Sequence, residues 1–287
     1  MRVRLTRRTA HAVPLLAVLM GLLPVGIAVA ESKKEPIDVL IALIKQHDSR
    51  YLTQSEQNLM MMPDSSAMWT VEEGMELFHK PGGPNQKSLE SCDFGKGPGQ
   101  LKGAYVEMPR YFGDTGKVMD LESRLIHCMK TIQGYADDSP EISTRPGSDQ
   151  MKLQTYIAAQ SNGMKWNPPL EHPLERAMYA AGEVLFYRRA GAYDMSCAVC
   201  HNSTGKRIRA SVLPDKNKPE EWTKAVSWPS LRVGSDQVLG SQHRLLDCFF
   251  QMRHAGLKPR SDASIALISY WTAAARGQPA ILPDMKR

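Results

Sequence analysis

After its first 30 residues this 287-residue chain has no apolar run long enough to cross a bilayer. A membrane-embedded body is therefore excluded, and a soluble mature protein is expected. A basic surplus is missing too. Residues 1–30 carry Arg2, Arg4, Arg7 and Arg8 and no acid, so their loss takes the formal charge from +6 to +2. Nothing then argues for a nucleic-acid footprint. The Pro/Gly-rich loops at 81–84 and 95–103 lack the alternation of strands. Cysteine is scarce, with Cys92, Cys128, Cys197, Cys200 and Cys248 the full set. No second ligand pair stands near Cys197 and Cys200, as a zinc site would need. No strand pattern precedes them over 187–196, as a thioredoxin-like redox pair would need.

What the N-terminus does contain is a basic head, an apolar run over 13–29, and a small-residue box at Ala28-Val29-Ala30 before polar Glu31. That order is a secretory signal peptide, residues 1–30. A retained anchor is the competing reading, and Pro14, Pro24 and the small-residue box favour removal. Arg7 and Arg8 lack the rest of a twin-arginine pattern, so export unfolded into the periplasm is expected. The mature 257 residues suffice for two domains. In an oxidising compartment disulfides persist, so an odd number of cysteines needs explaining.

An internal repeat organises the mature chain. Gly74, Leu77 and Phe78 recur as Gly182, Leu185 and Phe186, 108 positions on. The same offset carries Cys92 onto Cys200, Leu89 onto Cys197 and Asp93 onto His201. Downstream, Arg124, Leu125 and Cys128 match Arg244, Leu245 and Cys248, while Leu153, Tyr156 and Gly163 match Leu267, Tyr270 and Gly277. Periodicity predicts opening helices over 71–78 and 176–187 and a closing helix over 265–275, ended by Gly277. Ile37, Leu40, Ile41 and Ile44 predict a helix in an N-terminal extension. The proline-rich stretch 167–173 is the expected boundary. The second copy holds Cys197-Ala-Val-Cys200-His201, the pattern of covalent haem attachment, so the resulting expectation is an all-α protein with two cytochrome c-like domains in tandem. Residues 31–67 form the extension, 68–165 a domain without haem, and 166–287 the haem-binding domain.

The haem assignment rests on Cys197-Ala-Val-Cys200-His201. Two thiols three positions apart can add to both vinyl groups of one haem, and the adjacent histidine then reaches the iron. One covalent haem c is expected, because the first copy has Leu89 and Asp93 where a second motif would need cysteine and histidine. Two candidates compete for the distal position. Met252 would make an ordinary electron carrier with a raised potential. Cys248 would donate more charge, lower the potential and favour chemistry, unless it is simply an inert buried cysteine. If Cys248 is the ligand, Cys128 holds the same place in the haem-less copy. It could then close on Cys92 as a disulfide across the space the cofactor left.

Two segments resemble a known family. They are Cys197-Ala-Val-Cys200-His201 followed by Arg244-Leu-Leu-Asp-Cys248-Phe-Phe-Gln-Met252-Arg253, and the stretch 101–112 with 120–125. Both are similar to the SoxA subunits of thiosulfate-oxidising Sox systems, over roughly residue 68 to the C-terminus. The departure at Leu89 and Asp93 makes the chain look like the single-haem type. The resemblance implies a heterodimer with a small SoxX-like cytochrome. It also implies oxidative coupling of thiosulfate to a cysteine of the SoxY–SoxZ carrier, an L-cysteine S-thiosulfotransferase activity. Electrons would pass to an acceptor c-type cytochrome. It further implies that Cys248 is the catalytic distal cysteine, found in the family as a persulfide, with Arg244 beside it. The residue chemistry agrees, since thiosulfate is a dianion and a guanidinium fork suits oxyanions. At i and i+4 on a helix, Arg244 and Cys248 would share a face. A propionate partner or a surface ion pair is the competing role for Arg244. Arg253 and Lys206 are weaker candidates for anion binding.

Overall fold

The structure is a computed structural model that describes residues 65–208 and 211–286. The expected signal peptide and the helix through Ile37 and Ile44 lie outside those residues. Ser65 opens helix α1 (Ser66–His79), its hydroxyl accepting from the Met68 amide at 3.3 Å and so satisfying an end donor. A hairpin follows, β1 (Arg110–Phe112) with β2 (Lys117–Met119), then α2 (Leu121–Thr131) and α3 (Asp149–Ala159). The second half opens with α4 (Pro173–Tyr187) and the short α5 (Cys197–His201). Next come a two-residue ladder, β3 (Arg207–Ile208) with β4 (Ser211–Val212), and α6 (Pro219–Val226). A second hairpin, β5 (Ser230–Arg232) with β6 (Gln237–Leu239), leads into α7 (Ser241–Gln251) and α8 (Asp262–Ala274). Strand β7 (Asp284–Lys286) ends the chain, parallel to β5, in a sheet ordered β6–β5–β7.

Each half is built on one helix crossing, and a glycine decides its distance. A Cβ on Gly74 of α1 would lie 2.1 Å from the Lys152 carbonyl oxygen of α3. A Cβ on Gly182 of α4 would lie 2.0 Å from the Ala266 carbonyl oxygen of α8. Neither contact tolerates a methyl group, so the backbones approach as closely as they do only because the side chain is absent. The same aromatic pair flanks both crossings, Phe78 with Tyr156 at 5.7 Å and Phe186 with Tyr270 at 5.3 Å between centroids. Both hairpins have the same register, Arg110 opposite Met119 and Ser230 opposite Leu239, each 120 positions apart in sequence. The helices α2 and α7 keep that offset.

The molecule is helix-rich but not purely helical, which corrects the all-α expectation. Its strands are two or three residues long, shorter than the window over which alternation can be read. The described residues fall within one compact unit, and the halves share buried polar contacts. The Tyr105 hydroxyl donates to the Trp228 carbonyl. Gln242 donates to buried Asp120 at 2.7 Å. Arg260 pairs with buried Glu122 at 3.3 Å. The chain between the halves is pinned as well. Trp166 and Gly277 share a backbone hydrogen bond at 2.8 Å, and the buried Trp166 indole donates to Thr223 at 3.2 Å.

Candidate functional site

Helix α5 is a single turn, so Cys197 and Cys200 at i and i+3 lie on one side of it and His201 follows at its end. A backbone bridge between Ala190 and Met195 at 2.9 and 3.1 Å sets the turn that enters it. Cys197 is buried, while Cys200 and His201 are half-buried. The buried Trp222 of α6 meets the His201 ring edge-on at 5.3 Å, and its own indole donates to the Trp271 carbonyl at 2.9 Å.

The orientation of His201 follows from one bond. Its Nδ1 donates to the Pro214 carbonyl at 3.0 Å, which leaves Nε2 as the nitrogen with a lone pair to offer. Burial holds the imidazole below its ordinary pKa, with the Arg244 cation acting in the same direction, so the neutral, ligating form is favoured. Burial also pushes the Cys197 thiol up to about 12, with Cys248 near enough to oppose its ionisation. The Cys248 thiol is raised by burial and drawn back by Arg244. Three thiols, one imidazole and a guanidinium therefore share one region, built from α5 and α7.

Those donors fit a haem c. Two thiols sit on one turn, an imidazole has its Nδ1 already committed, and a third sulfur stands on a second helix. Among the described residues no group of three or more His, Cys, Asp or Glu could hold a bare metal ion. Met252 is 9% exposed and caps α7, its amide donating to the Cys248 carbonyl at 3.0 Å.

The other expected residues separate. Arg244 is mostly buried, and its ion pair among the described residues is a long contact to Asp247, 3.9 Å. Its counterpart Arg124 is spent on structure: it donates to the Asp93 carbonyl at 2.7 Å, pairs with Asp114 at 2.7 Å and lies over the Phe112 ring at 4.2 Å. Arg253 stacks over Phe250, and burial raises the Cys200 thiol, opposed by exposed Lys206 in the loop after α5. Sequence reasoning missed Pro214, Trp222, Arg232 and Lys286. Arg232 stands opposite Lys286 in the β5–β7 register and adds positive potential at Cys248. Only the offset between the repeats, which grows in the loop holding Pro214, carried a trace of these residues.

In the first half the corresponding space is filled. Cys92 and Cys128 form a disulfide with Cα atoms 5.9 Å apart, both nearly inaccessible, beside buried Leu89 and Phe94. Asp93, in the place of His201, accepts from the Gly95 and Gly97 amides at 2.6 and 2.8 Å. Both sulfurs and the Asp93 carboxylate are thus engaged in contacts within that half.

The SoxA/TsdA cytochrome c domain family matches residues 73–166, the half that lacks the Cys-x-x-Cys-His motif. The L-cysteine S-thiosulfotransferase subunit SoxA of Hydrogenophilus thermoluteolus is 44% identical over 225 residues, 75% of this chain and 80% of that protein. The SoxA subunit of Hydrogenobacter thermophilus is 36% identical over 218 residues, 76% of this chain and 80% of that one. The crystal structure of SoxXA from P. pantotrophus aligns with a TM-score of 0.66 at 27% identity, covering 78% of this chain and 80% of the matched one.

Proposed function

This chain belongs to the SoxA family of L-cysteine S-thiosulfotransferase subunits, and we propose that Cys248, beside Arg244, is the sulfur at which it works. It is a haem c subunit of a thiosulfate-oxidising SoxAX complex, with a SoxX-type partner. The observation that carries the catalytic reading is the sharing of one region by Cys197, Cys200, His201, Cys248 and Arg244.

Cys197 and Cys200 would hold one haem c through thioethers, and His201 Nε2 and the Cys248 sulfur would be the protein's donors to its iron. Bound there, it supplies a one-electron relay and a ferric centre that keeps a ligating thiol deprotonated. The chain's own residues do the rest. Arg244 holds the sulfonate end of thiosulfate, where its fork can make charge-assisted hydrogen bonds. Cys248 meets the sulfane sulfur. Overall, a carrier cysteine thiolate and thiosulfate form one S–S bond and release two electrons, which leave for an acceptor c-type cytochrome. The carrier is of the SoxY–SoxZ type. The protein acts in the periplasm after loss of residues 1–30, as two cytochrome c-like domains meeting near residues 165–166. The duplicated glycine crossings and hairpin registers support that division.

The test is Cys248→Met, with the SoxX-type partner and carrier present. Haem attachment is retained, the reduction potential rises, and thiosulfate-dependent modification of the carrier cysteine is lost. Unimpaired carrier modification would reduce Cys248 to a tuning residue. In the wild-type ferric spectrum, the long-wavelength charge-transfer band of methionine ligation would instead favour Met252 and an electron carrier. Intact mass should equal residues 31–287 plus one haem.

A further inference from the structure

The second half is longer than the first in one place. The offset between the copies is 108 at Phe78 and Phe186 and 120 at Phe112 and Arg232, so 12 extra residues lie between those landmarks. The loop after α5 lies there, and it contains a buried carboxylate, Asp215, only 5% exposed. Its two oxygens are fully engaged. Oδ2 accepts from the Thr204 hydroxyl at 3.0 Å, and Oδ1 accepts from the Asn217 amide at 3.0 Å and its side chain at 3.2 Å. Asn217 Nδ2 in turn lies 3.1 Å from Oδ1 of Asn202, the residue that caps α5.

The neighbours of Asp215 on both sides hold His201. Pro214 presents the carbonyl that accepts from His201 Nδ1 at 3.0 Å, and the Lys216 amide donates to the His201 carbonyl at 2.8 Å. The Lys216 ammonium lies over the Tyr270 ring at 5.3 Å, so the loop is fastened to the main helix crossing as well. The haem-less half has no such device, since Asp93 there caps the amides of its own loop.

We infer that Asp215 is a positioning residue for His201: by tying the loop to Thr204 and Asn217 it fixes the Pro214 carbonyl against Nδ1. This rests on the reading of His201 as the iron ligand. A carbonyl bonded to Nδ1–H makes Nε2 the stronger donor and favours ferric over ferrous iron. Losing that alignment weakens the donation while leaving Cys197, Cys200 and His201 in place.

The experiment is a potentiometric titration of the haem-loaded chain with its partner. Asp215→Ala should shift the ferric–ferrous balance toward ferrous by on the order of tenfold, ~59 mV for one electron. Asp215→Asn should shift it less, because an amide oxygen still accepts from Asn217. If Asp215→Ala fails to accumulate, Thr204→Val removes one of the bonds to Asp215 and should move the potential in the same direction. An unchanged potential in the haem-loaded variants, with only a lower melting temperature, would make Asp215 a loop staple and overturn the inference. His201→Ala separates the two readings: an unaltered ferric spectrum in that variant would sink the ligand assignment itself.

Discussion

At the scale of single residues, the contrast between Arg124 and Arg244 is the most informative. They occupy equivalent turns, yet the first is consumed by Asp93, Asp114 and Phe112, while the second is left with a 3.9 Å contact to Asp247 beside the cysteines. An arginine held in a mostly buried place with so loose a partner is available to an anion. Arg244→Ala should therefore raise the KM for thiosulfate, by about 10- to 100-fold if one charge-assisted hydrogen bond of 1.5–3 kcal/mol is lost. The haem spectrum should change little, since no proposed ligand is touched. Steady-state kinetics with the carrier check this, and an unchanged KM would assign Arg244 to structure. Both arginines were legible as the start of a repeated Arg-Leu pair, each four residues before a cysteine. Their opposite uses were not, because Asp114 and Phe112 reach Arg124 only in the folded hairpin.

At the scale of elements, the two glycine crossings carry the architecture. Gly182→Ala sets a methyl against the Ala266 carbonyl, which cannot give way without moving α8 from α4. Thermal or denaturant unfolding should report a loss of about 3 kcal/mol, the upper end of overpacking costs. A loss well under 1 kcal/mol would mean that the helices slide freely. The opening and closing helices were readable from apolar spacing, and the observed α1, α4 and α8 include nearly all of the expected spans. The short hairpins were not readable. Three residues cannot display a period of two, and their pairing is set by the turns and by what packs over them.

At the scale of the whole molecule, the halves meet through buried acids. Burial and the nearby Asp120 charge push the Glu122 carboxyl up to about 8, against the pull of Arg260, and its Oε2 has no hydrogen-bond partner among the described residues. The folded chain thus keeps a proton that the unfolded chain releases near its ordinary value of 4.5. Stability from this group is complete below pH 4.5 and is lost as pH rises through about 8. Glu122→Gln should flatten that part of the pH profile and gain on the wild type at pH ~9, by at most several kcal/mol. Denaturant midpoints at pH ~6 and ~9 measure it, and parallel profiles would refute it.

The sequence by itself determined the repeated landmarks, the Cys-x-x-Cys-His motif at 197–201 and the residues that occupy equivalent places. These are properties of order and spacing, and spacing survives in the linear chain. It also offered the pairing of Cys92 with Cys128, which follows if Cys128 holds the place of Cys248, and the structure joins those two sulfurs. Only the tertiary structure decided how His201 is oriented, what Asp215 holds, and how Asp120, Glu122, Gln242 and Arg260 join the halves. Each of those depends on groups brought together from distant positions, and a hydrogen bond is decided by tenths of an ångström and by angle.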